Sequence, residues 1–183
     1  MRFSVRQLPG LGLALLSLPA FGQSSLARPS LPAVSTLRLL NRSAGYIFDG
    51  TVVSVEPVAP IDTGGVAAVQ ITFRVEQAFR GARFGQVLAI REWAGLWTSG
   101  ERYRSGERLL LFLYSPSKLG FTSPVGGPLG RFAVDSSGNA LLVSGRLPVP
   151  VRALDPASQT QFRRANRVSA WALARAIQRA DTE

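Results

Sequence analysis

The segment Gly106-Glu-Arg-Leu-Leu-Leu-Phe-Leu-Tyr114 (GERLLLFLY) changes abruptly from charged to apolar. A short apolar run bounded by turn residues is typical of a strand buried at the centre of a sheet, so we predict a central strand at Leu109–Leu113 rather than a helix. The letters SGER occur twice before it, at 99–102 and 105–108. Glycine supplies turn conformations, and the second copy therefore predicts a turn that leads into the strand.

Other strands are predicted on both sides of this run. The clearest alternation lies at 69–76, where Val, Ile, Phe and Val alternate with Gln, Thr, Arg and Glu, as in a half-buried antiparallel strand. Further strands are expected at 46–56, 87–93, 131–134 and 140–143. Gly50, inside the first of these, indicates a bulge or sharp bend. The pattern is that of a mainly β fold, a small antiparallel barrel or sandwich.

The first 22 residues have the features of an export signal. Arg2 and Arg6 precede a short apolar run, and Ala20-Phe-Gly22 places small residues where a signal peptidase cleaves. We therefore predict a signal peptide at 1–22, export to the periplasm or beyond, and no membrane span after its removal. An uncleaved N-terminal anchor is the alternative.

The rest of the chain is divided into three parts. Residues 23–34 mix Ser, Pro and Ala and predict a flexible lead-in, and Ser35 is the expected cap of a short helix that ends near Asn41 to Gly45. The β-barrel domain is assigned to 35–150. Residues 151–183 form a C-terminal helical segment, with helix starts expected at Asp155-Pro156 and at Ser169.

The composition excludes several kinds of chemistry. The chain has neither His nor Cys, which removes Ser-His and Cys-His nucleophiles, disulfides and zinc sites built on these residues. We therefore assign no catalytic residue, no metal ligand and no cofactor. Removal of Arg2 and Arg6 leaves a net charge of +8, and Lys118 is the single lysine, so the surface suits carboxylate or phosphate contacts.

An aromatic and basic stretch across the third strand and the following loop is the candidate ligand-binding surface. Aromatic side chains stack on flat ligands while arginines hold anionic groups. The candidate residues are Arg91, Trp93, Trp97, Arg102, Tyr103 and Arg104. In the alternative interpretation, one tryptophan fills the barrel interior and the arginines are solvated.

The order of features resembles that of a known family. The helix near Ser35, the strands GTVVSV (50–55) and VQITFRVEQAFRG (69–81), and the segments GERLLLFL (106–113) and GRFAV (130–134) resemble secreted bacterial OB-like barrel domains. These domains are related to the tissue-inhibitor-of-metalloproteinase and netrin modules. The resemblance implies an OB-like barrel with a short N-terminal and a C-terminal helix. It does not imply zinc chelation by an N-terminal cysteine, because this chain has no cysteine.

We expect an exported, non-enzymatic binding domain whose partner is a protein or an anionic component of the cell envelope. Two alternatives remain open. One is a hydrolase that acts on an envelope polymer through carboxylates among Glu92, Glu101 and Glu107. The other is a salt-sensitive nucleic-acid binder, which export disfavours. The sequence does not define an oligomeric state.

Overall fold

The computed structural model describes residues 33–60, 65–99, 103–141 and 151–179. The predicted signal peptide at 1–22, most of the predicted lead-in and the end of the predicted strand at 140–143 lie outside these residues. The strands are β1 (Ala44–Val58), β2 (Ala68–Arg80), β3 (Val87–Trp93), β4 (Arg108–Tyr114), β5 (Arg131–Ala133), β6 (Asn139–Ala140) and β7 (Val168–Ser169). The α-helices are α1 (Ala33–Ser43), α2 (Pro156–Ala165) and α3 (Ala170–Arg179). Short 3-10 helices lie at Ala94–Ser99, Gly127–Gly130 and Val151–Ala153.

Five strands form one antiparallel sheet in the order β3-β2-β1-β4-β5, and β6 pairs with β7 in a second, two-stranded sheet. The predicted mainly β class with a helix near each end is confirmed. Among the described residues the ladder of the large sheet does not close into a continuous barrel. Single bridges join Phe121 to Arg91 of β3 and Pro124 to Leu113 of β4, so the segment between β4 and β5 contacts both of these strands.

Strand β4 is buried on both faces, which explains why its sequence is continuously apolar. Leu109, Leu111 and Leu113 belong to a core on one face of the sheet, together with Phe48 and Phe73. The alternate residues face a second core between the sheet and the helices. That second core contains Leu110, Phe112, Leu40, Ile47, Leu173 and Ile177. The predicted central strand is confirmed, and each of its two faces contributes side chains to one of the two cores.

The long strand β1 bends where the sequence predicts it. The pairing of β1 with β2 shifts register between Asp49 and Gly50, and again between Val52 and Ser54. At Gly50 a Cβ atom would lie 2.8 Å from the carbonyl oxygen of Arg74, which explains the need for glycine. Strand β1 pairs with β2 on one side and with β4 on the other.

A buried ion pair joins the two central strands. Asp49 of β1 is completely buried, and its carboxylate accepts hydrogen bonds from Nε of Arg108 at 2.9 Å and from Nη2 at 2.7 Å. The bond with Asp49 raises the pKa of Arg108 above its ordinary value, so this guanidinium is always charged. Such a bidentate pair offsets much of the cost of burying a carboxylate.

The termini of the helices agree in part with the sequence. Asp155 caps α2 by accepting a hydrogen bond from the Ser158 amide at 3.0 Å, and Ser169 Oγ accepts one from the Ala172 amide at 3.1 Å at the start of α3. Both predicted starts are confirmed. Helix α1 begins at Ala33, earlier than predicted from Ser35. No helix among the described residues is long and apolar enough to cross a membrane.

Candidate functional site

A cavity of about 470 Å³ opens where β3, the end of β4 and the segment before β5 come together. Its walls are mostly apolar, with a few polar groups that converge on one side, as in many ligand sites. The lining residues are Glu92, Leu96, Tyr103, Tyr114, Ser123, Pro124, Gly126, Gly127, Pro128 and Arg131.

Glu92 places a carboxylate in the wall of this cavity. Strand β3 alternates between exposed and buried residues, and Glu92 occupies a buried position. Its Oε1 accepts a hydrogen bond from the Tyr103 hydroxyl at 2.9 Å, and its Oε2 accepts one from Trp97 Nε1 at 3.2 Å. Buried carboxyl groups need such donors, so the two aromatic side chains stabilise the position of the Glu92 side chain in the site.

The Tyr103 ring also contacts the side chain of Arg131. The guanidinium carbon of Arg131 lies 4.5 Å from the centroid of the Tyr103 ring, within the range of a cation–π interaction. The Nη2 of Arg131 donates to both carboxylate oxygens of Glu107, at 3.1 and 3.0 Å. The Tyr103 ring meets Phe73 edge to face, with centroids 5.7 Å apart, which fixes it against the core inside the sheet.

These contacts form one connected row, which we call the Tyr103 network: Trp97, Glu92, Tyr103, Arg131 and Glu107. It contains two carboxylates, one cation and two aromatic side chains. Both carboxyl groups accept hydrogen bonds from other groups of the chain. Trp97 and Tyr103 donate to Glu92, and Arg131 and the Arg104 amide, the latter at 3.2 Å, donate to Glu107. Three of its members, Glu92, Tyr103 and Arg131, line the cavity.

The structure separates the six residues that the sequence proposed. Tyr103 lines the cavity and is buried rather than on the surface, and Trp97 stands behind it as a donor to Glu92. Trp93 and Arg91 lie on the exposed face of β3 and do not line the cavity. Arg104 is exposed and contributes its backbone amide to Glu107. Arg102, like Glu101 and most of the first SGER copy, lies outside the described residues.

Arg131 is a site residue that the sequence did not predict, since 131–134 was expected only to form a strand. It reaches the site because β5 pairs with β4, so that Arg131 stands opposite Leu111 and close to Glu107 at the start of β4. The sequence signal for this ion pair was a charged residue next to the start of each of two strands, Glu107 before β4 and Arg131 at the start of β5. Glu107, one of the carboxylates of the hydrolase alternative, is half-buried and ion-paired with Arg131. Its turn is confirmed, with Gly106 at a φ of 83°.

The chemistry of the site rests on these side chains. The described residues contain no group of three or more Asp and Glu side chains that could hold a metal ion. The lining offers the carboxyl group of Glu92, the aromatic rings of Tyr103 and Tyr114 and the guanidinium of Arg131. Comparisons of the chain with protein-family models, with curated proteins and with solved structures give no match.

Proposed function

We propose that this protein is an exported binding module that acts without turnover and holds a protein or an anionic component of the cell envelope at the Tyr103 cavity. The observation that carries the proposal is the Tyr103 network, in which Arg131 is fixed over an aromatic ring beside an open cavity. Arg131 is already paired with Glu107, so an anionic group of the ligand would meet a guanidinium whose position is set by Glu107 and Tyr103, which limits the entropy lost on binding. The arginine-rich composition gives the chain a positive net charge, which favours the binding of an anionic partner.

The apolar walls favour a ligand that inserts a single group into the cavity. Leu96, Tyr114, Pro124 and Pro128 surround the polar side of the cavity, and its volume of about 470 Å³ suits one or two side chains or a small polar group. Hot spots of binding surfaces are commonly pockets of this kind, with Tyr and Arg as anchors. The exposed Arg104, next to Tyr103 in the chain, is available to steer an anionic partner.

The hydrolase alternative is favoured by one observation, the presence of the buried Glu92 in the cavity wall. A general acid needs a carboxyl group that can exchange a proton with a bound substrate. Against it, both oxygens of Glu92 accept hydrogen bonds from Trp97 and Tyr103, and Glu107 is paired with Arg131. These contacts favour a structural and binding role for the carboxylates.

The test is affinity capture from envelope and culture fractions by the purified protein at near-physiological salt. We expect a partner that is retained by the wild type and lost with Arg131→Gln. Arg74→Gln is the matched control, because Arg74 is also an ion-paired strand arginine but does not line the cavity. Retention that Arg131→Gln leaves unchanged would refute the proposal. Hydrolysis of an envelope polymer that disappears with Glu92→Gln would establish the alternative.

A further inference from the structure

The ends of α1, β2 and α3 meet on one side of the fold. Asn41, near the end of α1, donates from Nδ2 to the carbonyl oxygen of Gln178 in α3 at 3.3 Å. Arg80, the last residue of β2, donates to Asn41 Oδ1 at 2.8 Å and to the carbonyl oxygen of Ala44 at 3.0 Å. The exposed residues beside this junction form a surface that we call the basic corner. Its residues are Arg38 and Arg42 of α1, Arg83 and Phe84 in the turn after β2, and Trp171, Arg175 and Arg179 of α3.

The basic corner carries an excess of positive charge. All five of its arginines are exposed, and neither α1, α3 nor the turn at 81–86 contains an acidic residue. Glu76 of β2 borders the surface but is ion-paired with Arg74 at 3.1 Å. Asp181 and Glu183 follow α3, outside the described residues, and the five arginines outnumber them. Such a surface attracts an anionic partner.

Two aromatic side chains lie among these arginines. Phe84 is 80% exposed, more than any other large apolar side chain that the structure describes. Trp171 is 50% exposed, and its indole N–H donates to no described residue, whereas the indole N–H of Trp97 donates to Glu92. Phe84 and Trp171 line one groove, so they can contact the same partner. The partner therefore offers an apolar region next to its negative charges.

This combination favours a lipid bilayer over nucleic acid. A nucleobase needs an open ring face on which to stack. The guanidinium carbon of Arg175 lies 5.6 Å from the centroid of the Trp171 ring, so part of this ring already has a cationic partner. A bilayer interface needs no open ring face, because indole rings lie at the level of the headgroups and arginine side chains reach the lipid phosphates beside them.

We propose that the basic corner docks on the surface of a bilayer that contains anionic phospholipid. Phe84 inserts into the boundary between headgroups and acyl chains, and the Trp171 ring lies at the level of the headgroups. Arg83 and Arg175 contact lipid phosphates. The basic corner shares no residue with the Tyr103 cavity, so this docking does not rest on the proposed function.

The docking mode differs from that of an amphipathic helix that lies in the interface. The apolar side of α3, which includes Leu173 and Ile177, is packed in the core between the sheet and the helices. The bilayer therefore meets the outer side of α3, where Trp171, Arg175 and Arg179 follow one another at intervals of four residues. The apolar contribution comes from two single side chains on different elements, and both are needed.

The experiment is co-sedimentation of the purified protein with lipid vesicles at near-physiological salt. One set of vesicles is phosphatidylcholine, and the other also contains phosphatidylglycerol at about one-third of the lipid. We expect binding to the second set only. Phe84→Ala and Trp171→Ala should each weaken it about fivefold or more, because they remove apolar area from the interface. Arg83→Glu should weaken it about tenfold or more, because it reverses a charge near the lipid phosphates.

Trp93→Ala and Arg91→Glu are the matched controls. Trp93 is 52% exposed, nearly as much as Trp171, and Arg91→Glu changes the net charge by the same amount as Arg83→Glu. Both control residues lie toward the end of β3 that is remote from the turn between β2 and β3. Charges more than about 10 Å apart are largely screened at this salt, so both controls should bind within about twofold of the wild type.

A second measurement locates the contact. The three tryptophans of the chain are Trp93, Trp97 and Trp171. Bromine atoms on the acyl chains of the lipid quench the fluorescence of indoles that enter the bilayer. We expect this quenching to disappear with Trp171→Phe and to persist with Trp93→Phe.

Four results would overturn the proposal. The first is absence of binding to the anionic vesicles, and the second is equal binding to neutral and anionic vesicles. The third is binding that the three basic-corner variants leave unchanged, which would mean that another part of the chain, such as 1–22, holds the vesicle. The fourth is stronger binding of single-stranded DNA that the same variants abolish, which would make the basic corner a nucleic-acid site. Arg131→Gln should bind vesicles as the wild type does, so this proposal and capture at the Tyr103 cavity fail separately.

Discussion

Two arginines on neighbouring strands, each paired with a carboxylate, show how the same residue type serves the core in one region and the wall of a cavity in another. Arg108 holds Asp49, whose side chain is 0% exposed between the two central strands. Arg131 holds Glu107, whose side chain is 27% exposed, and its guanidinium also covers the Tyr103 ring beside a cavity. The difference lies in the carboxylate: a fully buried one requires its cation, whereas a half-solvated one does not.

The largest effect is expected from removing the cation of the buried pair. Arg108→Met leaves the Asp49 carboxylate buried without its guanidinium, and we expect the free energy of unfolding to fall by about 3–5 kcal/mol. Urea denaturation followed by circular dichroism measures it. The double variant Asp49→Leu with Arg108→Met removes both charges and should recover most of the loss. If the double variant is no more stable than Arg108→Met, the cost lies in packing and not in the unpaired charge.

A smaller effect is expected at the cavity. Arg131→Gln removes a partly solvated ion pair and a cation–π contact, so we expect a loss of about 1–2 kcal/mol. A double-mutant cycle of Arg131→Gln with Glu107→Gln should give a coupling energy below that of the Arg108–Asp49 pair. Equal coupling energies in the two cycles would contradict the distinction between a fully buried and a partly exposed carboxylate.

The sequence was sufficient for the parts of the fold that local patterns control. The apolar run Leu109–Leu113 predicted the central strand, because a strand buried on both faces needs apolar residues at successive positions. Gly50 predicted the irregularity in β1, because a close approach of two backbones requires glycine at that position. It was less informative about short elements. Strand β7 was not predicted, since two residues carry no periodicity, and residues 94–99 form a 3-10 helix where a loop was expected.

The site was predicted less well than the fold, because it is assembled by strand pairing. The sequence grouped residues that are adjacent in the chain, such as Trp93 and Arg91, which point away from the cavity along the exposed face of β3. The contact between Tyr103 and Arg131 arises only when β5 joins β4. A prediction from composition also placed Tyr103 on a surface, whereas its hydroxyl has a partner in the interior, Glu92.

The smallest effect is expected at the most solvated of the ion pairs, that between Arg74 and Glu76, whose side chains are 62% and 31% exposed. The hydrogen bond from Arg74 lowers the pKa of Glu76 below its ordinary value of 4.5, and a second bond from Thr51 acts in the same direction. A lowered pKa means that this carboxylate stabilises the fold above pH 4.5 and loses that contribution as the pH falls through the folded-state value. The contribution stays below about 1 kcal/mol because water screens the pair.

Carbon-detected NMR titration of the Glu76 side chain should therefore give a midpoint below 4.5 in the wild type and a higher one in Arg74→Gln. Thr51→Val should raise the midpoint by less, because Thr51 contributes a weaker bond than Arg74. A midpoint that does not move with Arg74→Gln would mean that the pair is not formed in solution.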